Sequence, residues 1–198
     1  MSYICLLLIR VPGIAGFLTL DVKDAIITLG AMFLGPISAI MISLVVSLIE
    51  MISVSNTEFW GFLMNFLGTA VFSVLASMIY RARRTFSGGV VGLCVAVVSM
   101  VAVMLVANIF ITPIYRGVPT EAVIALLPTL FVFNLVKGIL NAAVVLFLYK
   151  PVSNALKAAR FINRREQEKL TIDAKTLIIM ACALAIAAMS VLVLLFLL

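Results

Sequence analysis

Between Arg84 and Arg116 the chain carries no charged residue at all. A bilayer's hydrocarbon layer, about 30 Å thick, is crossed by roughly 20 apolar residues of α-helix. Runs of the same kind recur at 36–53, 59–80, 122–149 and 176–198. They are continuous, without the polar–apolar alternation of a membrane barrel. Within lipid every backbone N–H and C=O must be satisfied internally, so runs of this type form helices. The chain is 65% hydrophobic and 11% charged, where a soluble domain carries about 25% charge. The fold class is therefore an all-α integral membrane protein with little room for a soluble domain, and any ATPase engine has to sit on another chain.

Other functions are narrowed by what is missing. There is no histidine, which removes the commonest general base and metal ligand. Cys5, Cys94 and Cys182 lie alone in separate apolar runs, the pattern of small buried residues and not of a metal site or disulfide framework. The net charge of +6 is gathered mainly at the ends of spans, where it orients a membrane protein and does not mark a nucleic-acid surface.

Punctuation divides the chain further. Residues 3–9 are apolar but stop at Arg10, Pro12 and Gly13, too few to cross a bilayer, so they read either as a short re-entrant or signal-like segment or, the favoured reading, as the tail of a first helix whose start is missing. Residues 16–24 read as a loop, with Asp21 or Asp24 capping the helix that follows to Leu34. Gly35-Pro36 ends that helix and opens the next. The reading gives six spans, counting the incomplete first one, and an additional C-terminal span at 176–198 after a basic linker at 156–175. Lysine and arginine bias places 81–84 and 150–169 in the cytoplasm. Alternation then puts Asp21, Asp24, Glu50, Glu58 and Glu121 on or near the outer side.

One span is chemically unusual. Within 122–149, Asn134, Lys137 and Asn141 recur at i, i+3 and i+7, on one helical face. A lysine at this depth costs about 2.5–3.5 kcal/mol on insertion scales, and an intramembrane ionisable residue marks a functional site by default. The same topology sets Asn65 near the outer start of its span and Asn108 near the outer end of its own. A carboxamide offers two donors and an acceptor oxygen, which suits a flat heterocycle with imide-like edges. Asparagines in membrane helices also simply join helices, and Asn141, one turn deeper, reads that way. Phe59, Trp60 and Phe62 read as an interfacial aromatic belt. Glu50 has three candidate partners: Lys23, Lys137 or water.

Residues 17–39, Phe-Leu-Thr-Leu-Asp-Val-Lys-Asp-Ala through Gly-Pro-Ile-Ser-Ala, resemble the loop and second helix of the substrate-binding S components of energy-coupling factor (ECF) vitamin transporters. Gly61-Phe-Leu-Met-Asn-Phe-Leu-Gly68, Ala107-Asn-Ile-Phe-Ile-Thr-Pro-Ile-Tyr115 and Phe133-Asn-Leu-Val-Lys-Gly-Ile139 are similar to the riboflavin-specific branch, in the same order. The resemblance covers about residues 10–155. It implies a six-helix bundle, here with an incomplete first helix, and a vitamin held near the outer face. It implies that Asn108, Asn134 and Lys137 contact a flavin ring, with Leu18, Thr19 and Leu20 covering it by their backbone. The implied partners are riboflavin, a transmembrane coupling subunit and two ABC ATPases. It implies no catalysis and no cofactor apart from the transported vitamin. The chain departs from the pattern in lacking a proline soon after Asp24 and in its last apolar run. The alternatives are an S component for another water-soluble vitamin, a stand-alone secondary transporter, and an intramembrane enzyme. The second of these calls for paired broken helices, whereas Gly35-Pro36 has no convincing second copy, and the third lacks histidine and clustered acids inside the spans.

Overall fold

A computed structural model describes residues 11–12, 19–53 and 58–158. The apolar segment 3–9, Leu18, the linker after Ala158 and the expected C-terminal span at 176–198 lie outside the described residues. Within them, a short antiparallel pairing of β1 (Val11–Pro12) with β2 (Thr19–Leu20) precedes five helices: α1 (Lys23–Leu34), α2 (Pro36–Ser53), α3 (Glu58–Arg83), α4 (Phe86–Arg116) and α5 (Thr120–Ala158). Four of them, α2 to α5, are long and apolar enough to cross a membrane.

The helix boundaries follow local chemistry. α1 ends because Gly35 adopts φ +115°, a conformation that costs glycine little and other residues much. Its backbone N–H closes the last turn on Ala31 O at 2.7 Å, and Pro36 then begins α2 at a first-turn position that needs no N–H donor. At the start of α4, Thr85 accepts from Gly88 N at 3.0 Å, a side-chain cap. α3 and α5 run further than the apolar pattern suggests, through Arg81 and Arg83 and through Lys150 to Ala158. Arginine and lysine are good helix formers and are favoured where carbonyls end a helix. The β1–β2 pairing was not anticipated, because two-residue strands carry no readable alternation. Pro12 fits there because an edge strand tolerates a missing donor.

The helices make a ring of neighbours, α2 on α3, α3 on α4 and α4 on α5, with α1 packed against α2, α3 and α5. α1 is the hub. Ala25, Leu29 and Met32 on it are buried with Phe72 and Ala76 of α3 and Val145 of α5. At the far end of α1, Phe33 stacks on Tyr149 with ring centroids 5.9 Å apart, and the Tyr80 and Tyr149 hydroxyls are hydrogen-bonded at 2.6 Å. This aromatic cluster closes the end that carries Arg81–Arg84 and Lys150. Ile37, Met41, Val45 and Ile52 of α2 are exposed, as expected of a lipid-facing stripe.

Small residues let α3 and α4 approach closely. A methyl group on Gly92 would lie 2.9 Å from the Ala76 carbonyl oxygen and against the Ile79 side chain. Because the obstacle is backbone, Gly92→Val is expected to destabilise the bundle by about 1–3 kcal/mol. Thermal unfolding in detergent checks this, and a melting temperature equal to wild type would show that the helices separate without cost.

Candidate ligand site

The start of α1 is the most charged part of the interior. Asp21, Lys23, Asp24 and Glu50 are each no more than 2% exposed. Isolated charges are not tolerated in such a place, and here they are paired. The Lys23 ammonium donates to the Glu50 carboxylate on α2. The Lys137 ammonium, reaching across from α5, lies 3.0 Å from Asp21 Oδ2 and 3.6 Å from Asp24 Oδ2. Asp24 Oδ1 accepts from Thr69 Oγ1 of α3 at 2.6 Å, and one turn further along, Thr28 and Ser73 hydroxyls meet at 2.8 Å. Asp21 Oδ1 accepts from its neighbour Lys23 N at 3.2 Å. Burial pushes the Asp21 carboxyl up, but the Lys137 and Lys23 charges and the bonds it accepts outweigh this and hold it below the usual carboxylate range.

The polar face expected on α5 is present, and its members do different things. Lys137 is 12% exposed at its side chain, where its acidic partners are at most 3% exposed; of this cluster it is the group that solvent reaches most. Asn141 joins α5 to the start of α1: its Nδ2 donates to Asp21 O at 3.0 Å and its Oδ1 accepts from Ala25 N at 2.8 Å. The expectation that it joins helices holds. Asn134 is buried, and its Nδ2 donates to Leu130 O on its own helix at 2.7 Å. Asn108 is buried and likewise turned back, donating to Met104 O at 2.7 Å and accepting from Thr112 Oγ1 at 2.9 Å.

Helix contacts set the heights of these groups. A methyl on Gly68 of α3 would lie 3.2 Å from Met104 Sδ of α4, and one on Gly138 of α5 would lie 3.1 Å from Met100 Cε. Thr69 and Lys137 are therefore at similar depth, since both engage Asp24. Asn65 stands about one turn, roughly 5 Å, from Thr69, and Asn134 about one turn from Lys137, both toward the end where α1 begins; Asn108 lies beyond Met104 toward the same end. The side chain of the half-buried Asn65 makes no hydrogen bond among the described residues. Thr19 and Leu20 enter as backbone of β2, two residues before Val22 leads into α1.

Asp21, Asp24 and Thr69 were not singled out as part of a site. The two acids looked like helix caps, and Asp21 does accept one backbone N–H. The overlooked signal was their i, i+3 spacing at the head of a helix with no other charge after Asp24. Glu50, with three partners open to it, pairs with Lys23. Phe59, Trp60 and Phe62 cluster with ring centroids 5.8 and 6.0 Å apart at the start of α3.

The described residues form a helical membrane bundle organised around a buried, ion-paired helix start, and comparison with known proteins places it. The family model for the ECF transporter, substrate-specific component, matches residues 1–149. The chain belongs to this family, the substrate-specific (S) components of ECF transporters, which is a transporter family and not an enzyme family. It is a multi-pass membrane protein. The riboflavin transporter RibU of Staphylococcus aureus (strain TCH60) is 30% identical, over 74% of this chain and 81% of the relative. A solved structure described as the S component of a bacterial ECF transporter superposes with a TM-score of 0.66 at 29% identity, covering 79% of this chain and 90% of that one.

Proposed function

We propose that the protein is the riboflavin-binding subunit of an ECF uptake transporter in the cell membrane. Riboflavin enters from the outer side and rests on the amide layer formed by Asn65, Asn108 and Asn134, with Lys137 beneath. The backbone of Leu18, Thr19 and Leu20 covers it. Segments 81–84 and 150–169 lie in the cytoplasm, as their basic residues direct. The vitamin is passed to a transmembrane coupling subunit driven by two ABC ATPases. One observation carries this reading: Lys137 is charge-balanced by Asp21 and Asp24 yet remains the cluster's most accessible group. A charge-balanced ammonium with a spare N–H suits an uncharged ligand rich in carbonyls. The 30% identity to a riboflavin transporter supports the choice of vitamin.

Mass spectrometry of the small molecule released from detergent-purified protein tests the proposal. Riboflavin, with quenching of its fluorescence on rebinding, is the expected result; another vitamin, with no flavin binding, would overturn it. Asn108→Ala and Asn134→Ala are each expected to weaken riboflavin binding by about 1–3 kcal/mol, the cost of leaving a buried ligand edge unpaired. Fluorescence titration checks this, and unchanged affinities would confine both amides to their own helices.

A further inference from the structure

We propose that Asn141 is a positioning residue that sets the location of the Lys137 ammonium through Asp21 and Asp24. The inference rests on reading this face of α5 as the ligand site. Asn141 does not bond to the ammonium. It holds the main chain of the segment that carries both acidic partners of Lys137. Its Nδ2 takes Asp21 O at 3.0 Å, its Oδ1 takes Ala25 N at 2.8 Å, and the same Nδ2 lies 3.0 Å from the Lys137 carbonyl.

A closed circuit results. The Lys137 side chain bonds the Asp21 carboxylate at 3.0 Å. The Asp21 carbonyl bonds Asn141, and one turn of α5 returns to Lys137. Each link fixes the next, so α1 can neither slide along α5 nor rotate against it without breaking a largely buried bond.

Local sequence explains why the tie is needed. The residue at the N-cap of α1 is Val22, which makes no side-chain cap. The N–H of Ala25 is one of the first-turn donors a helix cannot satisfy by itself. Asn141 supplies that cap from another helix, 116 positions away in sequence. A cap ordinarily stabilises its own helix. This one also registers α1 against the helix bearing the lysine. Since Asp21 and Asp24 flank the capped turn, their distance from Lys137 is set by the same bonds.

The test has two arms, both on the full-length chain in detergent. In the first, without ligand, lysines are dimethylated with formaldehyde and a borane reductant, and Lys137 is followed by mass spectrometry against Lys150. Asn141→Ala is expected to raise the Lys137 rate relative to Lys150 by about fivefold or more, the scale of losing one buried bond. An unchanged ratio would overturn the proposal. In the second, riboflavin affinity is measured in a double-mutant cycle. Asn141→Ala should weaken binding about tenfold in wild type and less than about threefold in an Asp21→Asn background, where the closer of the two carboxylate links to Lys137 is already cut. Equal losses in both backgrounds would make Asn141 merely structural and overturn the proposal. Should the alanine variant fail to fold, Asn141→Ser carries both arms. If wild type binds no riboflavin, the proposed function fails, while the methylation arm still decides this inference.

Discussion

Replacing Lys137 with methionine is expected to reduce riboflavin affinity by about two orders of magnitude and also to destabilise the empty protein. The first effect is the loss of a hydrogen bond to a charged group, about 1.5–3 kcal/mol. The second comes from what remains behind. Asp21 and Asp24 stay buried, with Lys23, 3.9 Å from Asp21, as the nearest remaining cation to it among the described residues. Breaking a buried pair by removing one partner costs about 3–5 kcal/mol. The two effects separate in the paired variant Lys137→Met with Asp21→Asn. Removing the stranded charge should return most of the lost melting temperature without returning affinity. If the paired variant binds riboflavin as wild type does, the lysine serves only the fold.

The second large effect concerns Lys23 and Glu50, which lie on α1 and α2 and are almost wholly withdrawn from solvent. Lys23→Met alone leaves the Glu50 carboxylate without its cation, and a loss of about 3–5 kcal/mol is expected. Lys23→Met together with Glu50→Leu removes both charges and refills the space with apolar side chains. Such swaps are commonly neutral or stabilising, so the double variant should melt near or above wild type. Thermal unfolding of the three proteins in one detergent is the measurement. A double variant no more stable than the single one would show that the pair contributes through packing and not through charge.

Much of the architecture was legible because membrane spans are written in long, uniform stretches. The ends of α1 and α2 were readable at Gly35-Pro36 and Ser53, since glycine and proline act locally. Lys137 stood out for the same reason: one charge in an apolar run is conspicuous. What could not be read was pairing. Asp21 and Lys137 are 116 positions apart, and nothing in either neighbourhood names the other. Glu50 illustrates this, since its carboxylate was equally compatible with Lys23, Lys137 and water until the α1–α2 packing chose. Asn108 and Asn134 show a further limit. Helical spacing gives the face of an amide, but not whether its N–H turns back to the carbonyl one turn earlier, as both do.

The length of α5 has a practical consequence. Its 39 residues, at about 1.5 Å each, make a rod of roughly 58 Å, nearly twice the hydrocarbon thickness. Tilt absorbs only part of such an excess, so the helix overruns the lipid; in its final turns Asn154 and Ala155 are exposed. Those turns are continuous with Lys137 along a single helix. A fluorophore or spin label at Asn154 would therefore act as the pointer of a dial, reporting the attitude of the helix that carries Lys137 to the membrane plane without touching that lysine's surroundings.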